Sequence, residues 1–290
     1  MVKNLNVIKI DSLDMLISEM EKKQDTFYFR GMASKDWKIK SSVDRMLERI
    51  KSSNSNALLS EQRQNVFLEF KAQSLFVKNN EAELKKVLNV APSDNFLIDE
   101  NNFIQMQVIL QHYGYPTRLT DWTKNWIKAL FFCLEDTSQS SDFSLWCIER
   151  DCIPTINDAI NNEKYLYPSA LDDKNNLIKF YQRLREGVYL IDIPIFNRIK
   201  VQEGILLVSG HADYMIFEDH IINSEWLNDT NVIKYEISAK LRTQVQQLLI
   251  KEGITHNLLY PVDFLDQKIT LDNQKIEQFM NKLYIKDFDI

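Results

Sequence analysis

The chain has 290 residues, a formal net charge of −6, 44% apolar residues and 26% charged residues, an ordinary globular composition with enough aromatic side chains for a sizeable core. The acidic balance excludes a general nucleic-acid-coating surface but not a local basic groove, and no apolar run approaches the roughly 20 residues of a membrane span. Cys133, Cys147 and Cys152 are odd in number and lack metal-ligand spacing. They read as reduced, mostly buried thiols, and with no signal-peptide core at the N-terminus the protein is expected in the cytoplasm.

In chain order, Val7 to Ile10 reads as a short strand. Asp11-Ser12 then caps a helix through Glu21, with Leu13, Leu16, Ile17 and Met20 at helical spacing. Thr26 to Phe29 is β-branched and aromatic, a strand that ends at Arg30-Gly31. Trp37 to Ser42 reads as extended, and Ser42 as the cap of a helix over Val43, Met46, Leu47 and Ile50. Lys51 to Ala57 is a Ser/Asn-rich loop, and a long helix is expected from Ser60 to Asn79. Pro92-Ser93-Asp94 breaks the chain before a helix over Asn101 to Tyr113. Asp121 or Thr123 is placed to cap a further helix, Asn125 to Leu134.

The second half has more strands. Phe143 to Ile148, Val188 to Ile193, Asn197 to Val208, Val232 to Ile237 and Leu258 to Tyr260 are the expected ones. Asn157 to Asn162 is weakly helical, Leu171 to Glu186 is a helix stopped by Gly187, and Ser238 caps a helix to Lys251 with Gly253 as its C-cap. A terminal helix is expected over Asn273 to Leu283. No repeat or linker interrupts the chain, so one domain is expected. Its class is α+β, a helix-rich N-terminal half packed on a mixed or antiparallel sheet from the C-terminal half.

The stretch from Gln111 to Thr123, QHYGYPTRLTDWT, is too varied to be a plain connector. Gly114 permits unusual backbone angles and Pro116 fixes its own φ. Buried polar groups must be paired, so its His, Arg, Asp and Thr side chains form either a hydrogen-bonded knot or a site. His112 is either a hydrogen-bonded core histidine or an acid–base group. Arg118 is either half of an ion pair or a phosphate ligand, and Asp121 either a helix cap or a catalytic carboxylate. Arg30, ending an aromatic strand beside Gly31, either meets a core carboxylate or anchors a ligand that the glycine lets approach. Gln202, read as lying inside a strand, needs partners there, with Glu203 on the opposite face. His211, His220 and His256 lack ligand spacing, so no metal is expected. The chain has no Walker-type loop, no dinucleotide fingerprint and no nucleophile elbow.

Phe29-Arg30-Gly31, followed by Trp37 and Ser41-Ser42, resembles the opening of the FRG domain, named for its Phe-Arg-Gly triplet. The stretch from Gln111 to Thr123 is similar to that family's central signature, Q-H-x-G-x-P-T-R-L-L-D-W-T, with Thr120 in place of a Leu. Asn197-Arg198-Ile199 with Gln202 and Gly204 resembles a third block, where Leu206 replaces a Phe, and Tyr235 to Pro261 resembles a closing one. The resemblance runs over roughly residues 20 to 265. It implies a bacterial or phage-related setting that suggests a toxin or defence effector, and hence a neutralising protein as partner. A second, looser similarity links the aromatic strand ending in Arg-Gly to ADP-ribosyltransferases of the Arg-Ser-Glu type. It implies a similar fold and NAD as substrate, with a protein or nucleic acid as acceptor. Arg30, Gly31, Tyr113, Arg118 and Trp122 then hold NAD, and the catalytic set is Arg30, His112, Asp121, Gln202 and Glu203. Tyr28, Tyr113, Tyr115 and Trp122 are the rings available for stacking. Whether Asp121 or Glu203 supplies the acid for the sugar, or Gln202 is itself the sugar contact, stays open. Two other readings stand beside this one: an RNA-cutting or glycosidic hydrolase using His112 and Asp121 as acid and base, and a non-enzymatic module that binds a nucleotide or a partner.

Overall fold

The computed structural model describes residues 5–53, 77, 80–86, 88, 100–136, 138–156, 187–209, 216–223 and 230–262. The expected helices over 60–79, 157–162, 171–186 and 273–283, the break at 92–94 and His211 lie outside or almost wholly outside these residues.

The chain is α+β. Its strands are β1 (Asn6–Ile10), β2 (Phe27–Met32), β3 (Leu119–Thr123), β4 (Phe143–Glu149), β5 (Val188–Ile191), β6 (Gly204–Ser209) and β7 (Val232–Ile237). They form one mixed sheet in the order β1-β7-β4-β2-β3-β6-β5. Only β1 and β7 run parallel; every other pair is antiparallel. Three strands, β1, β2 and β3, therefore come from the half expected to be helix-rich, so the sheet is not built from the C-terminal half alone.

The helices are α1 (Leu13–Glu21), α2 (Ser42–Ser53), α3 (Glu100–His112), α4 (Trp126–Leu134), α5 (Asn197–Val201), α6 (Phe217–Asn223), α7 (Arg242–Lys251) and α8 (His256–Leu259). The sheet carries a core on each face. On one, Phe27 and Phe29 of β2 meet Trp126, Ala129, Leu130 and Cys133 of α4, with Val245 and Leu249 of α7 beside them. The α4 residues are spaced i, i+3, i+4 and i+7, the stripe a helix presents to a core. On the other face, Tyr28 and Met32 of β2 join Trp122, Trp146, Ile148, Ile205, Leu207, Phe217 and Ile221. Strand alternation accounts for the split: odd residues of β2 face α4 and even ones face away. Arg30 therefore lies between Tyr28 and Met32 on an otherwise apolar row.

Several expectations change. Asp121 and Thr123 cap nothing; they belong to β3, and α4 is capped by Asn125, whose Oδ1 accepts from the backbone N–H of Ile127 and Lys128. The cap of α2 is Ser41, whose Oγ accepts from Asp44 N while the Asp44 carboxylate accepts from Ser41 N. That exchange has the form of a capping box with Asp in the Glu position. Ser42 instead accepts from Thr117 N at 2.9 Å and donates to its carbonyl at 3.1 Å, tying α2 to the central stretch. Asn197 to Val208 is not one strand: α5 comes first, then a turn at Gln202-Glu203, then β6. Leu258 to Tyr260 is not a strand either, because α8 takes Leu258 and Leu259 and Tyr260 follows it.

The cysteines behave as expected. Cys133 and Cys147 are buried and Cys152 half-buried, all free. Burial pushes the Cys133 thiol up to about 12 and Cys147 up as well. Thiolates are the reactive form, so a native-state thiol assay is expected to label Cys152 alone. Cys133 and Cys147 react only after denaturation; fast labelling of all three would contradict this packing.

Candidate functional site

The central stretch is built in three steps. First, α3 ends in a Schellman motif: Tyr115 N donates to Leu110 O and Gly114 N to Gln111 O. Gly114 supplies the left-handed residue, at φ +74°. Second, Thr117 Oγ1 donates to Gln111 Oε1 at 2.5 Å, and Gln111 Nε2 donates to Asp121 Oδ2 at 2.9 Å. Third, β3 starts at Leu119 and pairs along its whole length with β6.

Against β2, β3 pairs only at Phe29 and Thr123. Continued in register, Gly31 would meet Asp121, but the strands splay apart after Phe29. A side chain bridges the gap: Arg30 Nη1 donates to the backbone carbonyl of Asp121. The split is the floor of a cleft of about 440 Å³, within the size range of small-molecule sites. Arg30, Arg45, Asp121, Gln202, Tyr260 and Trp37 are among its lining residues.

Electrostatically the cleft is mixed. Burial lowers the pKa of the Arg30 guanidinium; the Asp121 carboxylate opposes this and the nearby Arg45 adds to it. Arg30 Nε is a buried donor with no acceptor. Arg45 is exposed and donates to Lys40 O. Among the described residues neither arginine forms an ion pair within 4.0 Å. Two neighbouring guanidinium groups without a paired carboxylate favour an anion between them. Asp121 is exposed, with one oxygen held by Gln111.

Of the residues singled out from sequence, Arg30, Gly31, Asp121, Trp122 and Gln202 line the cleft. The others do not. His112 stacks on Phe196 with ring centroids 3.7 Å apart and planes 6° from parallel, and Tyr113 meets both rings edge-on. Arg118 is buried, and its charge acts on the buried Asp44. Glu203 sits in the turn after α5 at φ 48° and pairs with Lys128 at 2.8 Å. Burial pushes its carboxyl up, but Lys128 and Asn125 hold it below its ordinary value. Gln202 is the C-cap of α5, and its Nε2 donates to Leu259 O at 2.9 Å, tethering α8.

Gly31 has a structural explanation. A Cβ there would lie 2.0 Å from Ala129 O and 2.8 Å from Cys133 Sγ. The glycine lets α4 approach the sheet.

Sequence reasoning missed Arg45, Glu135, Arg198 as a cleft residue, and Tyr260. Tyr260 Oη donates to Glu135 Oε1 at 2.5 Å, and the Arg198 guanidinium lies 5.0 Å from the centre of its ring. These residues come from α2, the end of α4, α5 and the segment after α8, and no local motif joins them. The available signals were the positions of Arg198 inside the third block and of Tyr260 inside the closing one.

The class this defines is an α+β protein with a polar cleft opened by splaying two central strands of a mixed sheet. Within it, residues 25–142 match the family model of the FRG domain. That segment includes both walls of the split, β2 and β3, and the signature between them. Asn197 to Gly204 and Tyr235 to Pro261 lie beyond it. No curated protein and no solved structure matches the chain. Among the described residues, no helix is long and apolar enough to cross a membrane, and no cluster of three or more His, Cys, Asp or Glu could hold a metal ion.

Proposed function

We propose that the β2–β3 split binds NAD and that the protein transfers ADP-ribose from it to a macromolecule. The observation that carries this is the Arg30–Arg45 pair: two guanidinium groups in one cleft, one with a buried unused donor, and neither with an ion pair among the described residues. A pyrophosphate supplies the missing acceptors. In the transfer, the bond between the nicotinamide nitrogen and ribose C1′ breaks and nicotinamide leaves with the electron pair. The sugar becomes oxocarbenium-like. A nucleophile on the acceptor, protein or nucleic acid, forms the new bond at C1′ and loses its proton to solvent.

Asp121 supplies the carboxylate that faces the positive sugar. It is the sequence-identified acid that lines the cleft, and Gln111 fixes one of its oxygens while the other stays open. Glu203, tied to Lys128, has no such access. Gln202 lines the same wall and contributes a polar contact. The hydrolase reading fits less well, because His112 is stacked on Phe196 outside the cleft that holds Asp121. A toxin of this chemistry also requires a neutralising protein in the cell that makes it.

The test is release of free nicotinamide from NAD, with and without cell extract as a source of acceptor. Wild type is expected to release it, and Asp121→Asn, which keeps an acceptor for Gln111 but removes the charge, to slow release about 10²- to 10³-fold. No release by wild type under either condition would sink the transferase reading.

A further inference from the structure

We infer that Trp37 is the stacking platform for a planar heteroaromatic ring of the ligand, so that the cleft selects nucleotides over plain sugar phosphates; this rests on the nucleotide reading above. The rings expected to stack are unavailable. Tyr28, Tyr113, Tyr115 and Trp122 are each less than 9% exposed, and Trp122 also spends its N–H on Thr120 Oγ1. Trp37 lines the cleft and is 44% exposed. Its indole N–H makes no hydrogen bond to any described residue.

The loop that carries Trp37 is held on both sides. Before it, Ala33 O accepts from Arg242 Nη2 at 2.8 Å, Lys35 N donates to Asp142 O at 2.9 Å, and Lys35 O accepts from Lys234 Nζ at 2.6 Å. After it, Ile39 N donates to Glu218 Oε2 at 2.8 Å and Glu218 N returns a bond to Ile39 O at 3.0 Å. The backbone is thus fixed by residues from four other segments while the ring stays open at the cleft. An isolated exposed aromatic needs no explanation. One on a pre-ordered loop, beside two guanidinium groups that want an anion, offers the second half of a nucleotide site. A ring can stack there while its phosphates reach Arg30 and Arg45, and a ring held rigid before binding loses little entropy on contact.

Calorimetric titration of ADP-ribose and of ribose 5-phosphate separates the two halves. Trp37→Ala is expected to weaken ADP-ribose about 10- to 100-fold and to leave ribose 5-phosphate unchanged, while Trp37→Phe keeps most of the affinity for ADP-ribose. Equal affinity of wild type and Trp37→Ala for ADP-ribose would overturn the inference. So would an equal loss for both ligands, which marks a displaced loop rather than a lost ring contact. The outcomes also separate this inference from the transferase reading. ADP-ribose binding that depends on Trp37, without nicotinamide release, removes the transferase and keeps the platform. Nicotinamide release with unchanged binding by Trp37→Ala does the reverse. No binding of ADP-ribose by wild type overturns the platform.

Discussion

Replacing Arg30 by alanine is expected to cut NAD turnover by a factor of at least about 10³, the scale on which an arginine acts at a phosphate. Stability should fall by no more than about 3 kcal/mol. Arg30 sits on an apolar row of β2, and its observed bond is to a main-chain carbonyl, that of Asp121. A hydrogen bond from a charged donor is worth about 1.5–3 kcal/mol. Burial already disfavours the Arg30 charge, so removing it returns part of that cost. The freed carbonyl lies in a cleft that water can enter. Catalysis has no such compensation, because the alanine variant has nothing at that point to hold an anion. Arg30→Lys is expected to fail nearly as badly, since one ammonium group cannot bridge to Asp121 O and still present a planar fork. A loss of stability well above 3 kcal/mol, read by urea denaturation, would mark Arg30 as a structural strut first.

The second large effect is expected at Gly31. A methyl group there meets the Ala129 carbonyl at 2.0 Å, and a backbone atom of a packed helix cannot simply step aside. Gly31→Ala must move α4 off β2, disturbing the contacts of Phe29, Ala129 and Cys133. The cost is expected at the top of the overpacking range, about 3 kcal/mol or more. Gly114 provides the comparison. Nothing lies within 4 Å of a Cβ there, so Gly114→Ala pays only for its left-handed backbone, about 1–2 kcal/mol. If denaturation ranked these variants the other way round, the account of why a glycine follows Arg30 in β2 would be wrong.

Much of the fold could be read from local pattern. β2, β4 and β7 are aromatic or β-branched runs, and α1, α4 and α7 have helical apolar spacing. What could not be read has physical causes. β3 is Leu-Thr-Asp-Trp-Thr; its polar residues looked like turn and cap chemistry, while its β-branched threonines and tryptophan, the strand signal, were outweighed. α5 spans five residues and α8 four, too short for a helical period to be told from alternation. The site divides in the same way. Arg30, Asp121 and Gln202, each a polar residue in an unusual place, line the cleft. His112 and Glu203 looked equally unusual, but their partners, Phe196 and Lys128, are distant in sequence or bear no motif. Arg45 and Tyr260 reach the cleft only because α2 is pinned to Thr117 through Ser42, and α8 to Gln202 through Leu259.

The most direct measurement is a crystal structure of the protein grown with ADP-ribose. The account predicts the nucleotide in the split between β2 and β3, its pyrophosphate against Arg30 and Arg45 and its terminal ribose beside Asp121. Nucleotide density elsewhere on the molecule, with the split empty, would contradict it.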